Sequence, residues 1–206
     1  MPANKQKITG ILLAGGRSRR MGSEKGKLRI GSSLLYQFPL GVLERLCDEI
    51  LVSSCDGSAL QVDHQLICDE VKGIGPLGGI YSCLKKSSSE LNLVLSYDMP
   101  LVKESLFRLL INELGDYDIA LPGISEERPE PLCGIYRKST ASIMEEMISI
   151  KDFAVNHILS RCHSKVVPIS EEMECWRPDL FLNINSKEDL KRLPADFGSK
   201  KDGERI

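Results

Sequence analysis

Short runs of apolar residues alternate along the chain with longer segments whose apolar residues recur every three or four positions. Runs of the first kind are typical of buried strands, and segments of the second kind are typical of helices. The predicted strands are 8–13, 49–53, 65–68, 91–96, 118–121, 132–136, 165–169 and 181–184. The predicted helices are 34–47, 77–86, 106–114, 139–148, 153–162 and 186–193. Pro39 is expected near the start of the first helix or at a kink in it.

This alternation predicts crossover connections, a mostly parallel sheet and helices on both of its faces, which is a three-layer α/β fold. The consecutive apolar residues Leu93, Val94 and Leu95 fit a strand that is buried on both sides. We find no internal repeat and expect a single domain over residues 1–194, followed by a flexible tail at 195–206. Ligands of such sheets bind beyond the carboxyl ends of the strands, so the residues that follow each strand are the candidates for function.

Composition narrows the class of protein. The chain has 206 residues, of which 42% are hydrophobic, and a formal net charge of −2. This is enough apolar material for a core, and the charge does not favour a nucleic-acid partner. No apolar run approaches the roughly 18 residues that span a bilayer, and the N-terminus does not resemble a secretory signal. We therefore expect a cytoplasmic protein without a membrane or nucleic-acid partner.

The cysteines and histidines do not predict a metal centre. The seven cysteines are odd in number, widely spaced and without a CxxC pair, so we expect free thiols in a reducing compartment. They are Cys47, Cys55, Cys68, Cys83, Cys133, Cys162 and Cys175. The histidines (His64, His157 and His163) lack the paired spacing of zinc ligands.

A loop rich in glycine and cations follows the first strand. Glycines allow main-chain amides to face phosphate oxygens, and arginine and lysine neutralise them. The segment therefore predicts a site for a polyanion such as a triphosphate, although it does not fit the Walker pattern GxxxxGK[ST]. The residues concerned are Gly15, Gly16, Arg17, Arg19, Arg20, Gly22, Lys25 and Lys27.

The run Leu-Ala-Gly-Gly-x-Ser-x-Arg-Met-Gly that begins at Leu13, with a lysine after it, resembles the signature of sugar-nucleotidyltransferase-like enzymes. Within them, the pattern from Ile8 to Leu193 resembles the molybdenum cofactor guanylyltransferases, the MobA family. The resemblance implies a Rossmann-like nucleotidyltransferase fold and transfer of GMP from GTP to molybdopterin or Mo-molybdopterin, with release of pyrophosphate and with Mg²⁺ as cofactor. It implies Arg20 and Lys25 as catalytic cations. It also implies a nucleotide-binding set formed by Leu13, Ala14, Gly15, Gly16, Gly22 and Lys25.

A second glycine-rich segment, 73–78, matches GxGxxG, the pattern of dinucleotide sites. It follows the third predicted strand rather than the first, and Pro76 is better explained as the first residue of a helix. The family resemblance implies instead that Asp69, Gly75 and Gly78 recognise the guanosine. A carboxylate can accept two hydrogen bonds from the edge of guanine, but the sequence leaves open whether Asp69 contacts the base or the ribose. Ser53, after the second strand, is a further candidate.

Asp98 stands at the end of the buried strand 91–96. A carboxylate in this position suits Mg²⁺, which takes few protein ligands and completes its shell with phosphates and water. The resemblance implies Asp98 as the metal ligand and as a catalytic residue. The alternative is a carboxylate that only caps a helix or a turn.

The resemblance places the molybdopterin side in the C-terminal half. Alternation along Asn183-Ile184-Asn185 predicts that Asn183 and Asn185 share one side of a strand, where two amides could bind a pterin or its phosphate. Ser186 and Asp189 fit a capping box. Trp176 and Arg177 are candidates for the border of this second pocket, whereas the charged loop of Glu126, Glu127 and Arg128 is expected to be solvated.

Two alternatives remain open from the sequence. A related nucleotidyltransferase could use CTP, or a sugar or polyol phosphate as acceptor, on the same glycine-rich loop. A non-catalytic GTP-binding adaptor for molybdoenzyme maturation would bind the nucleotide without releasing pyrophosphate. Proteins of molybdoenzyme maturation are possible partners in either case, and the sequence does not predict the oligomeric state.

Overall fold

The computed structural model describes residues 6–15, 27–55, 60–195 and 197–198. A seven-stranded sheet forms its centre. Its strands are β1 Ile8–Leu13, β4 Glu49–Ser53, β5 Gln65–Ile67, β6 Leu91–Ser96, β7 Ile119–Gly123, β8 Cys133–Arg137 and β9 Ser164–Pro168. They lie side by side in the order β5-β4-β1-β6-β8-β7-β9. A short hairpin is formed by β2 Arg29–Ile30 and β3 Ser33–Leu34. The α-helices are α1 Gln37–Leu46, α2 Pro76–Lys86, α3 Glu104–Leu114 and α4 Thr140–Ser149, and two 3-10 helices span Val155–Ser160 and Asp189–Arg192.

The register of the sheet brings the ends of several strands to one edge. β1 lies between β4 and β6 and is parallel to both, with Leu13 opposite Ser53 on one side and Ser96 on the other. β5 is parallel to β4, so that Ile67 is opposite Ser53. The segments that follow β1, β4, β5 and β6 therefore start side by side. β8 alone runs against its neighbours β6 and β7.

Successive residues of β1 face different layers. Leu12 belongs to an apolar cluster that includes Leu43 of α1 and Phe107 of α3. Ile11 belongs to a second cluster that includes Ile80 of α2 and Met144 of α4. The sheet is therefore covered on both faces, which confirms the predicted three-layer α/β class. Among the described residues, no helix has both the length and the apolar character needed to cross a membrane.

The predicted strand at 181–184 is wrong, and the predicted helix at 186–193 is present only in part. The backbone before Asn183 forms turns, in which Leu180 N donates to Arg177 O and Leu182 N donates to Asp179 O. These local hydrogen bonds use backbone N–H groups that a strand would need for pairing with a neighbouring strand. The later segment forms only the 3-10 helix Asp189–Arg192. The reciprocal hydrogen bonds of the predicted capping box are present, because Asp189 N donates to Ser186 Oγ and Asp189 Oδ2 accepts from Ser186 N. They do not cap this helix, since its N-cap residue is Glu188.

The expectation that all cysteines are free is also wrong. Cys55 and Cys68 form a disulfide, with their Cα atoms 4.3 Å apart. They are 13 residues apart in the chain, but the parallel pairing of β4 with β5 brings the ends of these strands together. The remaining cysteines are free thiols, and burial raises the pKa of the Cys83 thiol to about 12. A thiol of this kind is unreactive and acts as a small apolar side chain.

Candidate active site

A cavity of about 160 Å³ lies at the carboxyl ends of β1, β4, β5 and β6. This volume is smaller than that of a typical site for a whole small ligand, roughly 300 Å³ or more. The cavity borders Gly15, directly before the segment 16–26 that lies outside the described residues. Its lining is formed by Leu13, Gly15, Ser53, Asp69, Gly75, Pro76, Gly79, Ser96, Tyr97, Asp98, Leu132 and Asn185.

Asp98 is held on this cavity from two directions. Ser96, the last residue of β6, donates a hydrogen bond from Oγ to Asp98 Oδ1 at 2.7 Å. The main-chain oxygen of Asp98 accepts a hydrogen bond from Ile184 N at 2.9 Å. Asp98 is half-buried and lines the cavity. It lies at the strand end that the sequence indicated.

The donor chemistry around Asp98 fits Mg²⁺. A carboxylate oxygen is a hard ligand, and Mg²⁺ binds through one or two carboxylates while keeping water and phosphate oxygens. Among the described residues there is no group of three or more His, Cys, Asp and Glu side chains that could hold a metal. A site with at most two such side chains among the described residues therefore suits Mg²⁺ better than an ion that demands a full set of protein ligands.

Ser53 and Asp69 meet on the opposite side of the same cavity. Ser53 Oγ donates to Asp69 Oδ1 at 3.4 Å, and Ser53 is 2% exposed. Ala14 N donates to the main-chain oxygen of Ser53 at 3.2 Å, which ties the start of the glycine-rich loop to this pair. The structure thus brings together three predicted residues that follow different strands.

The N-terminus of α2 closes another side of the cavity. Gly75 has a φ of 72°, a left-handed conformation that favours glycine, and Pro76 then begins the helix. Unpaired amides at a helix N-terminus attract anions. The GxGxxG segment therefore forms a turn and a helix start on the site, and Gly75 lines the cavity.

Gly78 and its neighbour Gly79 lie differently with respect to the cavity. Gly78 does not line the cavity, and a Cβ there would lie 2.9 Å from Ile74 Cγ1 and 3.0 Å from Val71 O. Gly79 does line it, and a Cβ there would lie 2.4 Å from Ser53 Oγ. Gly79 is not among the predicted site residues, because only the folded chain shows that Ser53 packs against it.

Glu130 is a second carboxyl group near Asp98 that the sequence analysis did not assign to the site. Burial raises the pKa of Glu130, and the negative charge of Asp98 raises it further. Leu132 N donates to Glu130 Oε1 at 3.3 Å, and Leu132 itself lines the cavity. The signal that could have found it is a carboxyl group placed directly before the predicted strand 132–136.

The other predicted site residues fall into two groups. Asn185 lines the cavity, whereas Ala14 and Asn183 do not, and Asn183 Nδ2 donates to the main-chain oxygen of Phe181 at 3.3 Å. The two amides therefore do not share one side of a strand. The remaining predicted residues lie outside the described part of the chain: Gly16, Arg20, Gly22 and Lys25.

A second cavity, of about 410 Å³, lies beyond the carboxyl ends of β7 and β9. Trp176 provides an aromatic wall, and Arg177 pairs with Asp179 through two hydrogen bonds of 2.5 and 3.2 Å. Leu182 lines this second cavity and Asn185 lines the first, so one segment borders both. Three residue steps span at most about 11 Å, which places these borders close together.

The sequence of this chain is similar to those of known proteins. The sequence profile of the MobA-like NTP transferase domain matches residues 10–166. The chain is 31% identical over 186 residues, covering 88% of this chain and 89% of the relative, to the "Probable molybdenum cofactor guanylyltransferase" of Pelotomaculum thermopropionicum.

Two solved structures show the same architecture. The molybdopterin-guanine dinucleotide biosynthesis protein A of Archaeoglobus fulgidus superposes with a TM-score of 0.72 at 26% identity, over 89% of this chain and 95% of that one. The 4-diphosphocytidyl-2C-methyl-D-erythritol synthase of Anaerococcus prevotii superposes with a TM-score of 0.67 at 16% identity, over 91% and 94% of the two chains. The second likeness shows the fold alone. The profile match and the curated relative together show that this chain belongs to the MobA-like NTP transferase family.

Proposed function

We propose that this chain transfers GMP from GTP to molybdopterin or Mo-molybdopterin and releases pyrophosphate. The observation that carries the proposal is the single cavity on which Asp98, the Ser53–Asp69 pair and the N-terminus of α2 converge. A carboxylate for a metal, a carboxylate for a nucleoside and a helix start for phosphate are the parts that an NTP site needs. Family membership and the guanylyltransferase relative support GTP as the nucleotide.

The reaction requires positioning and charge more than proton transfer. In the proposed reaction, the terminal phosphate of the acceptor attacks the α-phosphorus of GTP, and the bond to pyrophosphate breaks. A phosphate group is already largely ionised near neutral pH, so no general base is needed. Lys25 and Arg20 would neutralise the charge that develops on the transferring group and on the triphosphate. The amides of the glycine-rich loop and of the α2 N-terminus would hold the phosphates in place.

Asp98 is proposed as the residue that holds Mg²⁺. The ion, when bound, supplies positive charge to the phosphate oxygens. Ser96 and Ile184 fix the side chain and the main chain of Asp98, respectively, and so keep the carboxylate in a constant position. A preorganised ligand of this kind pays little reorganisation during the reaction.

The acceptor is assigned to the C-terminal half and the nucleotide to the N-terminal half. The second cavity lies at the same edge of the sheet as the first and is bordered by an aromatic ring and an arginine–aspartate pair. Trp176 can stack on a planar pterin, and the Asp179 carboxylate can accept hydrogen bonds from its amino edge. Asn183 and Asn185 stand on the segment between the two cavities, where the acceptor phosphate would pass.

We also propose a compartment for the enzyme and recipients for its product. We place it in the cytoplasm, and we propose that its product is handed to proteins of molybdoenzyme maturation. The alternative of a cytidylyltransferase, or of an enzyme that uses a sugar or polyol phosphate, has the support of fold likeness alone.

Binding of nucleotides separates these functions. With Mg²⁺ present, GTP is expected to raise the melting temperature more than CTP, ATP or UTP, and the preference for GTP is expected to be lost in Asp69→Asn. The matched control is Asp63→Asn, an aspartate outside both cavities, which should keep the preference for GTP. A larger shift with CTP in the wild-type protein would favour the alternative function and contradict ours.

A further inference from the structure

We propose that Cys55 and Cys68 form a redox-sensitive clasp that controls the affinity of the site for its nucleotide. The inference rests on the proposed function, because it concerns the regulation of the same cavity. It goes beyond that function because nothing in guanylyl transfer requires a disulfide.

The clasp lies directly beside two residues that line the cavity. Cys55 follows Ser53 by two positions, and Cys68 immediately precedes Asp69. Ser53 Oγ donates to Asp69 Oδ1, so the covalent bond and this hydrogen bond join the same two strand ends. Any change in the distance between the strand ends therefore changes the pair that borders the cavity.

Among the described residues, β5 pairs with one strand. It has three residues and lies beside β4 as the last strand of the sheet. Its end also contacts α2, where Glu70 N donates to Ser82 Oγ at 2.9 Å. Beyond the paired residues, Ser54 N donates to Ile67 O at 3.0 Å. The disulfide adds a covalent connection between the ends of β4 and β5. We therefore expect the oxidised form to hold Asp69 more firmly in its binding position.

Both cysteines are accessible to small reagents. Cys55 and Cys68 are exposed, whereas Cys83 and Cys133 are fully buried. Thiol–disulfide exchange with a low-molecular-weight disulfide, such as oxidised glutathione, converts the two thiols into the Cys55–Cys68 bond and releases two molecules of reduced glutathione. A dithiol reverses the reaction and is itself oxidised to a cyclic disulfide. Disulfides in a reducing compartment are typically transient and redox-sensing, which fits this chemistry.

The test measures the Kd of GTP with Mg²⁺ by calorimetry on the full chain, first after treatment with oxidised glutathione and then after treatment with dithiothreitol. Alkylation and mass spectrometry establish the thiol state in each sample. We expect the reduced protein to bind on the order of 5-fold more weakly, the low end of typical couplings between sites. Cys55→Ser and Cys68→Ser should bind like the reduced wild type under both conditions, whereas the control Cys162→Ser should respond like the wild type.

Three outcomes would contradict the clasp and leave the proposed function untouched. Equal Kd values for oxidised and reduced wild type, with the bond shown to form and break, would overturn the regulation. Failure of the bond to form under oxidised glutathione would overturn the clasp itself. An equal redox response in Cys55→Ser would assign the effect to other cysteines. Absence of GTP binding in both states would instead contradict the proposed function, and the clasp with it.

Discussion

At the scale of single residues, the site depends on side chains whose positions are set by their neighbours. Asp98 receives a hydrogen bond from Ser96 on the same strand end, and its main chain is bonded to Ile184 from the far end of the sequence. Asp69 is joined to Ser53 across two strands. Such oriented carboxylates can act on a ligand without first rearranging, which is the physical basis of the proposed catalysis.

Asp98→Asn tests the role of the carboxylate. The amide keeps the size of the side chain but removes the negative charge that a divalent cation needs. We expect turnover, measured as pyrophosphate release, to fall by at least ~10²-fold, as for the loss of one preorganised charged group. The matched control is Asp116→Asn, which should keep wild-type turnover. Asp116 is an exposed residue before β7, at the ends of the strands that lie away from the cavities. Near-normal turnover in Asp98→Asn with an intact fold would contradict the assignment.

Gly79→Ala tests the close packing of α2 on β4. The new Cβ would lie 2.4 Å from Ser53 Oγ, so Ser53 would have to move away from Asp69. We expect the free energy of unfolding to fall by about 1–3 kcal/mol, the usual cost of overpacking, with weaker GTP binding. In a Ser53→Ala background the same change should cost less, because the clashing oxygen is gone. Equal costs in both backgrounds, measured by chemical denaturation, would show that the contact does not matter.

At the scale of elements, ion pairs connect the end of one helix with the start of another. Arg45, in the last turn of α1, forms an ion pair with Glu104, the first residue of α3, and Arg108 pairs with Glu104 one turn later. An acidic side chain at a helix N-terminus is also favoured by the helix dipole. The ion pair with Arg45 holds the pKa of Glu104 below its usual range.

Glu104→Gln tests this link through its pH dependence. Because the folded-state pKa is lowered, the ionised carboxylate stabilises the fold above the unfolded pKa of about 4.3. The stabilisation is lost as the pH falls through the lower, folded-state pKa. We expect the variant to be less stable by about 0.5 kcal/mol at neutral pH, since the pair is partly exposed, and equal to the wild type near ~pH 2. Chemical denaturation at both pH values checks this, with Glu146→Gln on α4 as the control. A deficit that persists in acid would contradict the ionic explanation.

The elements also show what a sequence can and cannot predict. β1, β4 and β6 begin and end at the predicted residues, because strands buried on several sides are continuous apolar runs bounded by polar residues. The segment 181–184 has the same local pattern but pairs with no strand, and local pattern does not reveal the absence of a neighbour. The Cys55–Cys68 bond and the contact of Gly79 with Ser53 likewise depend on which strands become neighbours.

At the scale of the whole molecule, both cavities lie at the carboxyl ends of strands, on the same side of the sheet. The strands β5, β4, β1 and β6 are parallel, and β8 reverses direction before β7 and β9 follow. The first cavity belongs to the parallel side, and the second lies beyond β7 and β9. The sequence predicted residues on both sides, but the direction of β8 and the segment that borders both cavities required the folded chain. We infer that the neighbouring cavities bring a nucleotide and an acceptor together.

The most direct test of the account is pyrophosphate release from GTP, CTP, ATP and UTP, each with Mg²⁺ and each with and without molybdopterin. We predict release from GTP when molybdopterin is present, and only background release in every other combination. Release that requires CTP, or that proceeds with a sugar or polyol phosphate in place of molybdopterin, would contradict the proposed reaction. Binding of GTP with no release of pyrophosphate in the presence of molybdopterin would contradict catalysis itself and indicate an adaptor.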